Sequence, residues 1–474
     1  MNRARKGRWA LAGALALLAT AARAQGNLAP SSSQNPVLGS VPSGRASPEV
    51  LSLTLADAID RALRQNLGVL FGADAVLSAR GESWQERSRL LPSLSARVAE
   101  NAAQVNLAAQ GFQKVAGRFP GGTFPLVIGP FGYFDVRAYL SQSLLDLNAL
   151  HSQRAAARNL AAEQFSYQDV REAVVLAVGA TYLEALTAAA RVETAQAQVQ
   201  TAQALQQQAE DLRRTGVSAG IDLLRAQVEL QTRQQELIAA RNAQAKQNLA
   251  LARAIGLSLE QAFRLADTVP YEPAPVPSVA GAVATALASR ADFQSAQARV
   301  RAAEERRRAA TAERLPSLSA SADYGVIGPR PGQTHGTFSA SAALRVPIFT
   351  GNKAHGDELV AQAGLDRSRQ RLEDLRAQIE QDVRMAALDL QAAADLVSVA
   401  RSNVDLAQQT LAQSRDRFSA GVSDNIEVVQ AQEAVARANE SYIASLHDYN
   451  LARMQMARAT GSAEKEIRRY GKEQ

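Results

Sequence analysis

Between Pro130 and Pro270 the chain contains no proline, and none follows Pro347. Proline removes a backbone donor and clashes with the preceding turn. Two stretches this long, rich in Ala, Gln, Arg, Glu and Leu, therefore read as uninterrupted helix. In the second, Ile379, Val383, Ala386, Leu390, Ala393, Val397, Ala400, Val404, Ala407, Leu411, Ser414 and Phe418 recur in alternating steps of four and three. That period, about 3.5 residues, supercoils helices left-handedly. Subtracting 205 gives Val178, Thr181, Ala185, Ala188, Val192, Ala195, Val199, Ala202, Gln206, Ala209 and Arg213, the same phase weakening at its end. A helix from Leu147 to Arg213 would run roughly 100 Å at 1.5 Å per residue. No compact domain needs such a rod.

The shared phase reflects a duplication. "RTGVSAGIDLLRAQ" from Arg214 and "SAGVSDNIEVVQAQ" from Ser419 are one phrase written twice, 205 residues apart. Upstream, "LPSLSA" occurs at Leu91 and Leu315, and "DAIDRAL" at Asp57 pairs with "GAVATAL" at Gly281, both at an offset of 224. The 19-residue difference places an insertion in the first copy, between Ala96 and about Ser141. A period this long is no solenoid unit, so each half is a substantial structure. Gly216 and Gly421 suit helix C-termini, where glycine adopts a left-handed conformation cheaply. The serines that follow can cap the next helix, with Asp222 or Glu427 in its early turns. Each phrase is thus expected to be the tip of a helical hairpin.

At the other end of each repeat the period falls to two. Leu318, Ala320, Ala322, Tyr324 and Val326 alternate with Ser317, Ser319, Ser321 and Asp323. Phe338, Ala340, Ala342, Leu344, Val346 and Ile348 alternate with Ser339, Ser341, Ala343 and Arg345. The first repeat offers Leu94, Ala96 and Val98, then Phe134, Val136, Ala138 and Leu140 against Asp135, Arg137, Tyr139 and Ser141. Such alternation suits a transmembrane strand, and equally a half-buried strand of a soluble sheet. Export favours the membrane. Arg3, Arg5, Lys6 and Arg8, the apolar run Trp9 to Leu18, and Ala22-Arg23-Ala24 read as a cleaved secretory signal. No hydrophobic helix is expected after it. Four strands cannot close a barrel, and open edges are not tolerated in lipid. Symmetric copies would supply the rest.

Charge and cysteine count narrow the class. Without the five basic residues of residues 1–24, 47 basic residues face 46 acidic ones, so no nucleic-acid partner is implied. The sequence has no cysteine, which excludes a lipid-modified N-terminal cysteine. "GVSAG" at Gly216–Gly220 matches a hydrolase nucleophile elbow, but that motif needs a strand before it, and helix is expected on both sides. His151, His335, His355 and His447 lack metal-ligand spacing and read as solvated, and "RAAEERRRAATAER" from Arg301 reads as a solvated helical face. No catalytic, cofactor-binding or metal site is expected.

Two strand–hairpin–strand units, each continuing into a long helical hairpin, with "LPSLSA", "VPIFTGN" (residues 346–352) and "AGVSDNIEVVQAQ" in order, resemble the TolC-type outer-membrane efflux proteins. The resemblance covers about Leu53 to Gly461. It implies a mixed α+β membrane protein: a homotrimer in which a 12-stranded outer-membrane β-barrel continues into a periplasmic α-helical coiled-coil barrel. The function implied is an exit duct, not an enzyme, for an efflux or type I secretion system. Its partners would be outer-membrane lipid, a periplasmic adaptor and an inner-membrane transporter. The alternative is a periplasmic coiled-coil adaptor or spacer, which normally carries one hairpin rather than two.

The resulting layout is a signal at 1–24, a tail at 25–50, repeat 1 at 51–269, a Pro-rich linker at 270–277, repeat 2 at 278–461 and a tail at 462–474. Strands are expected at about 92–100, 133–145, 316–327 and 337–349, with tips near 214–224 and 419–427. Residues 101–130 should be an extracellular loop, where Phe112, Phe119 and Phe124 fit either a constriction or anchoring at the membrane interface. In the family, two acids one turn apart on the second repeat face the pore. Glu427 takes the first place, Gln430 the second, and Asp424 is a substitute for the missing acid. Family members also tie a tyrosine and an arginine of the second repeat to an acid of the first. Asp222 holds the acid's place, whereas Phe418 and Ser423 stand in the other two.

Overall fold

The computed structural model describes residues 35, 37, 39–111, 125–216, 219–268, 271, 278–420, 422–423 and 425–468. The expected signal, Phe112, Phe119 and Phe124, Ser218, Gly421, Asp424 and the linker apart from Tyr271 lie outside those residues. The described chain runs β1 (Leu51–Leu53), α1 (Leu55–Gln65), α2 (Leu67–Ser88), β2 (Ser93–Asn106), β3 (Val127–Leu145), α3 (Leu147–Arg214), α4 (Gly220–Ala254) and β4 (Phe263–Leu265). It continues α5 (Val279–Ser289), α6 (Ala291–Ala312), β5 (Ser317–Gly328), β6 (His335–Arg345), α7 (Lys353–Ser419), α8 (Asn425–Ala459) and α9 (Ala463–Ile467).

The duplication is visible element by element. Adding 224 to the bounds of α1 and α2 gives those of α5 and α6, and adding 205 to α4 gives α8. Compactness divides the chain differently. One unit takes the described residues up to Asp74, Ser166–Asp292 and the residues from Arg376 onward; the other takes Ala75–Phe165 and Phe293–Leu375. Each repeat therefore contributes to both units.

In the first unit, β1 pairs in parallel with β4. Leu53, Ile59, Val178, Tyr182, Leu183, Leu251, Ile255, Met454 and Ile467 share one core. Tyr182 donates its hydroxyl to Leu53 O at 3.0 Å and to Asp267 Oδ2 at 2.7 Å, so its buried polar end is satisfied. Thr54 and Asp57 form a reciprocal capping box that starts α1. Here one expectation fails. α3 contains an 18-residue window long and apolar enough to cross a bilayer by length and composition. Val174, Val175, Val178, Leu183 and Leu186 spend that hydrophobicity on the core instead.

The heptad phase holds. All twelve seam positions of α7, Ile379 to Phe418, are buried or half-buried, while Asp395 and Arg401 are exposed. In α3 the matching positions are buried or half-buried as far as Ala209, and Arg213 is exposed. Charge cannot remain in a seam without a partner, so the seam ends there.

In the second unit the strands form one antiparallel sheet ordered β2-β3-β5-β6. Its register aligns the alternating faces across all four strands. Leu94–Leu140–Ala322–Ala340, Ala96–Ala138–Tyr324–Phe338 and Val98–Val136–Val326–Gly336 are three consecutive rows on one face. Ser93–Ser141–Ser321–Ser341 and Arg97–Arg137–Gly325–Thr337 lie on the other. The helical segments below follow the same order: Asn148 donates to Ala309 O, His151 Nδ1 lies 2.7 Å from Glu305 Oε2, and Arg369 reaches Glu304 at 3.0 Å. His151 is thus half-buried against a carboxylate rather than solvated, because α3 and α6 pack side by side there.

The strand bounds also differ from the expected ones. β2 and β3 extend to Asn106 and back to Val127, taking up part of the expected loop, because strand pairing continues past a bulge between Ala103 and Val105. β6 stops at Arg345, leaving residues 346–349 beyond the sheet. Pro347 has no N–H to donate to a ladder.

Candidate functional site

At the tips of the long helices, all four contribute to a small core: Leu205 and Ala209 of α3, Leu223 and Ala226 of α4, Phe418 of α7 and Val428 of α8. Asp222 precedes Leu223 and Glu427 precedes Val428, so an acid flanks this core from each repeat. Asp222 sits in the first turn of α4, with Oδ1 3.6 Å from the Arg225 guanidinium. Glu427 sits in the first turn of α8, 3.3 Å from Arg417 Nε. Helix N-termini favour both charges. Glu427 is the more exposed, at 41% of its side chain against 14% for Asp222.

The other candidates separate. Phe418 fills the core and offers no hydroxyl to a lock. Gln430 is exposed, and the half-buried Ser423 has a buried hydroxyl with no hydrogen-bond partner. Gly216 adopts φ +77°, the left-handed conformation that ends α3. In the second tip, Val422 N–H donates to Arg417 O at 2.9 Å, closing α7 with a six-to-one bond. The expected serine cap is not seen: α4 starts from Ala219, with no side-chain cap bond. The helix begins one residue later than a Ser218 cap requires.

Three features escaped the sequence reading. Arg417 becomes the partner of Glu427 only through the turn. Gln432 is buried with neither amide atom hydrogen-bonded. A groove of 580 Å³ is lined by α3, α4 and α8 and contains Arg191, Arg233, Glu229, Glu236 and Glu440. There burial works against the charge of Arg233, but hydrogen bonds to Glu236 and Glu229 outweigh it and hold the guanidinium above its usual range.

The sheet carries a second arrangement, on its polar face. Arg137 of β3 donates to Asp135 at 3.4 Å, to Asp323 of β5 and to Thr337 Oγ1 of β6 at 2.9 Å. The serine row adds Oγ contacts of 2.7 Å between Ser93 and Ser141 and 2.8 Å between Ser321 and Ser341. Gly325 makes room for this: a Cβ there would lie 2.5 Å from Val136 O and 2.8 Å from Arg137 Cα. Arg137 and Asp323 are mostly covered, whereas Leu94, Val98, Tyr324 and Phe338 on the opposite face are exposed. On the polar face the Arg137 network is satisfied internally while the serine row stays exposed, and the apolar face is left bare. A soluble sheet would cover that apolar face.

The family model for outer membrane efflux proteins matches residues 58–257 and 282–462. The chain belongs to the outer membrane efflux protein family. The two matched segments begin 224 and end 205 residues apart, the same offsets as the duplication. Among solved structures, the outer membrane protein VceC from Vibrio cholerae is similar with TM-score 0.71 and 18% identity over 86% of this chain and 96% of its own. The Campylobacter jejuni CmeC outer membrane channel gives 0.71 and 15% over 92% and 95%. The open state of the Neisseria gonorrhoeae MtrE outer membrane channel gives 0.70 and 18% over 89% and 94%. No curated protein matches the sequence significantly. As an outer membrane efflux protein, the chain is an exit duct of an efflux system, located in the outer membrane and extending into the periplasm. The family is a channel family, and its members generally form trimers that work with adaptors and inner-membrane transporters.

Proposed function

We propose that three copies of this chain close a 12-stranded barrel and act as a passive conduit, not an enzyme, for substrates delivered by a periplasmic adaptor and an inner-membrane transporter. The observation that carries this reading is the four-stranded sheet with one continuous apolar face and two edge strands, β2 and β6. In lipid those edges must pair, and β6 of one copy against β2 of the next satisfies them. The sequence has no native cysteine, so engineered pairs report cleanly. Ser95→Cys on β2 combined with cysteines scanned along β6 from Gly336 to Arg345 should yield an oxidised covalent trimer in membranes. Single-cysteine controls should stay monomeric on a denaturing gel. If no pair cross-links in a conducting preparation, the shared barrel is wrong.

At the tip, Glu427 is assigned a pore-facing role. Three copies converging on an axis would create a cation-attracting field. Its exposure and first-turn position support this reading, and Asp222 and Asp424 are the remaining acids of the gate. In single-channel recordings of the reconstituted protein, Glu427→Gln should weaken cation selectivity and block by divalent cations while leaving melting nearly unchanged. Unchanged selectivity with lowered melting would reduce Glu427 to a helix-end charge.

A further inference from the structure

The groove lined by α3, α4 and α8 continues past its 580 Å³. It shares Arg191 and Ala240 with a second cavity of 230 Å³, whose lining adds Glu184, Thr187, Gln247, His447 and Asp448. Along α3 the two run from Glu184 to Gln198, roughly 20 Å at 1.5 Å per residue. Alanines line it on every helix: Ala188 and Ala195 of α3, Ala240 of α4 and Ala444 of α8. The groove is thus long, with small apolar stretches between charged side chains.

Six carboxylates and three guanidiniums line the two cavities. The guanidiniums are already taken. Arg191 binds Glu440 at 2.6 Å, Arg233 binds Glu229 at 2.7 Å and Glu236 at 2.8 Å, and Arg437 binds Glu433 at 2.7 Å. Glu184 of α3 and Asp448 of α8 stand outside these pairs, Asp448 with the adjacent His447 at 3.0 Å. The surplus is negative, so the groove favours a cation. Among the described residues no three His, Cys, Asp or Glu side chains come together to hold a metal ion. The second observation is Thr187, 3% exposed, whose Oγ1 has no hydrogen-bond partner. Helical threonines often return this proton to the carbonyl four residues back, as Thr181 does to Ala177 O at 2.9 Å and Thr232 to Val228 O at 3.0 Å. Thr187 instead leaves a buried, unused hydroxyl in the wall of the smaller cavity, one helical turn from Glu184.

We propose that this groove binds a linear aliphatic polyamine, with one ammonium held by Glu184, Asp448 and the Thr187 hydroxyl oxygen. A terminal ammonium has three donors and no acceptor, which two carboxylates and one unused hydroxyl oxygen satisfy. The methylene segments lie over the alanines, and a further ammonium reaches the glutamates that share Arg233. A compact ion would match only one end of this length. Glu184 and Thr187 belong to the first repeat and Asp448 to the second, so the ligand bridges the repeats and should raise the melting temperature. The inference concerns the helices of one chain and stands apart from barrel closure and from the role of Glu427.

The test is calorimetric titration of the full-length, detergent-solubilised protein with spermidine at about 0.15 M salt, where diffuse attraction is screened. Saturable binding and a rise in melting temperature are expected. Replacing both acids, Glu184→Gln with Asp448→Asn, should weaken binding by about tenfold or more, because each lost carboxylate removes a charge-assisted bond. Thr187→Val should weaken it by about threefold while ligand-free melting holds, since the hydroxyl has no native bond to lose. Thr187→Ser should restore it, and Glu427→Gln should leave it unchanged. Absence of saturable binding overturns the proposal and leaves the groove to a basic helix of a partner. Displacement by an equal concentration of magnesium would show charge attraction alone, which also overturns it. Binding lost with Glu427→Gln but kept without Glu184 and Asp448 would move the site to the tip. Affinity unchanged by Thr187→Val would take the ammonium out of the smaller cavity; either result sinks the assignment.

Discussion

The two tips are one phrase in two environments. In the first repeat, Ile221, Leu224 and Val228 of α4 are exposed, as is Gln227. In the second, Val429, the counterpart of Leu224, packs against the tip core, and Gln432, the counterpart of Gln227, is buried, whereas Leu223 and Val428 are buried alike. Phe418 lies in the core, whereas Arg213, at the matching position, is exposed. Duplication supplies the same backbone turn twice. Which copy is enclosed depends on what packs against it.

That asymmetry yields graded predictions. The largest effect is expected at the seam. Val397→Asp places a charge at a fully buried position and should cost several kcal/mol. Val192→Asp, at the half-buried counterpart, should cost clearly less. Thermal or denaturant melting of the solubilised protein compares them, and equal losses would abolish the distinction between the hairpins. Next, Phe418→Ala should lose about 3–5 kcal/mol, the range for emptying a buried aromatic site, while Arg213→Ala stays close to neutral. A smaller and opposite effect is expected at Gln432. Its amide forms no hydrogen bond in the structure, so Gln432→Leu should stabilise by about 1–3 kcal/mol, with Gln227→Leu nearly silent. Destabilisation by Gln432→Leu would mean that the amide finds a partner in the assembled protein. The smallest changes belong to the acids. Asp222→Asn and Glu427→Gln should each alter stability by within about 1 kcal/mol, as expected of helix-end charges and exposed ion pairs.

The helices and strands were legible for a local reason. A seam such as Ile379 to Phe418, or an alternation such as Leu318 to Val326, repeats one packing requirement many times, so single exceptions do not hide it. The turns were less legible. Ser218 fits a cap by type, but α4 begins from Ala219, because the end of a helix depends on a single residue's backbone. Arg417 opposite Glu427 left no periodic trace, since that contact is made once, across a turn. The end of β6 is intermediate: Pro347 signals that pairing stops, yet the alternation of Val346 and Ile348 conceals it.

The sequence by itself determined the duplication, the supercoiled phase, the paired faces of the strands and hence the family. Each follows from spacing along one chain. Tertiary structure decided that the apolar window of α3 is core rather than membrane span, that Phe418 is packing rather than lock, and that Arg137 joins three strands. Each of those depends on which distant segment arrives opposite, and a residue's own neighbours in sequence do not encode that.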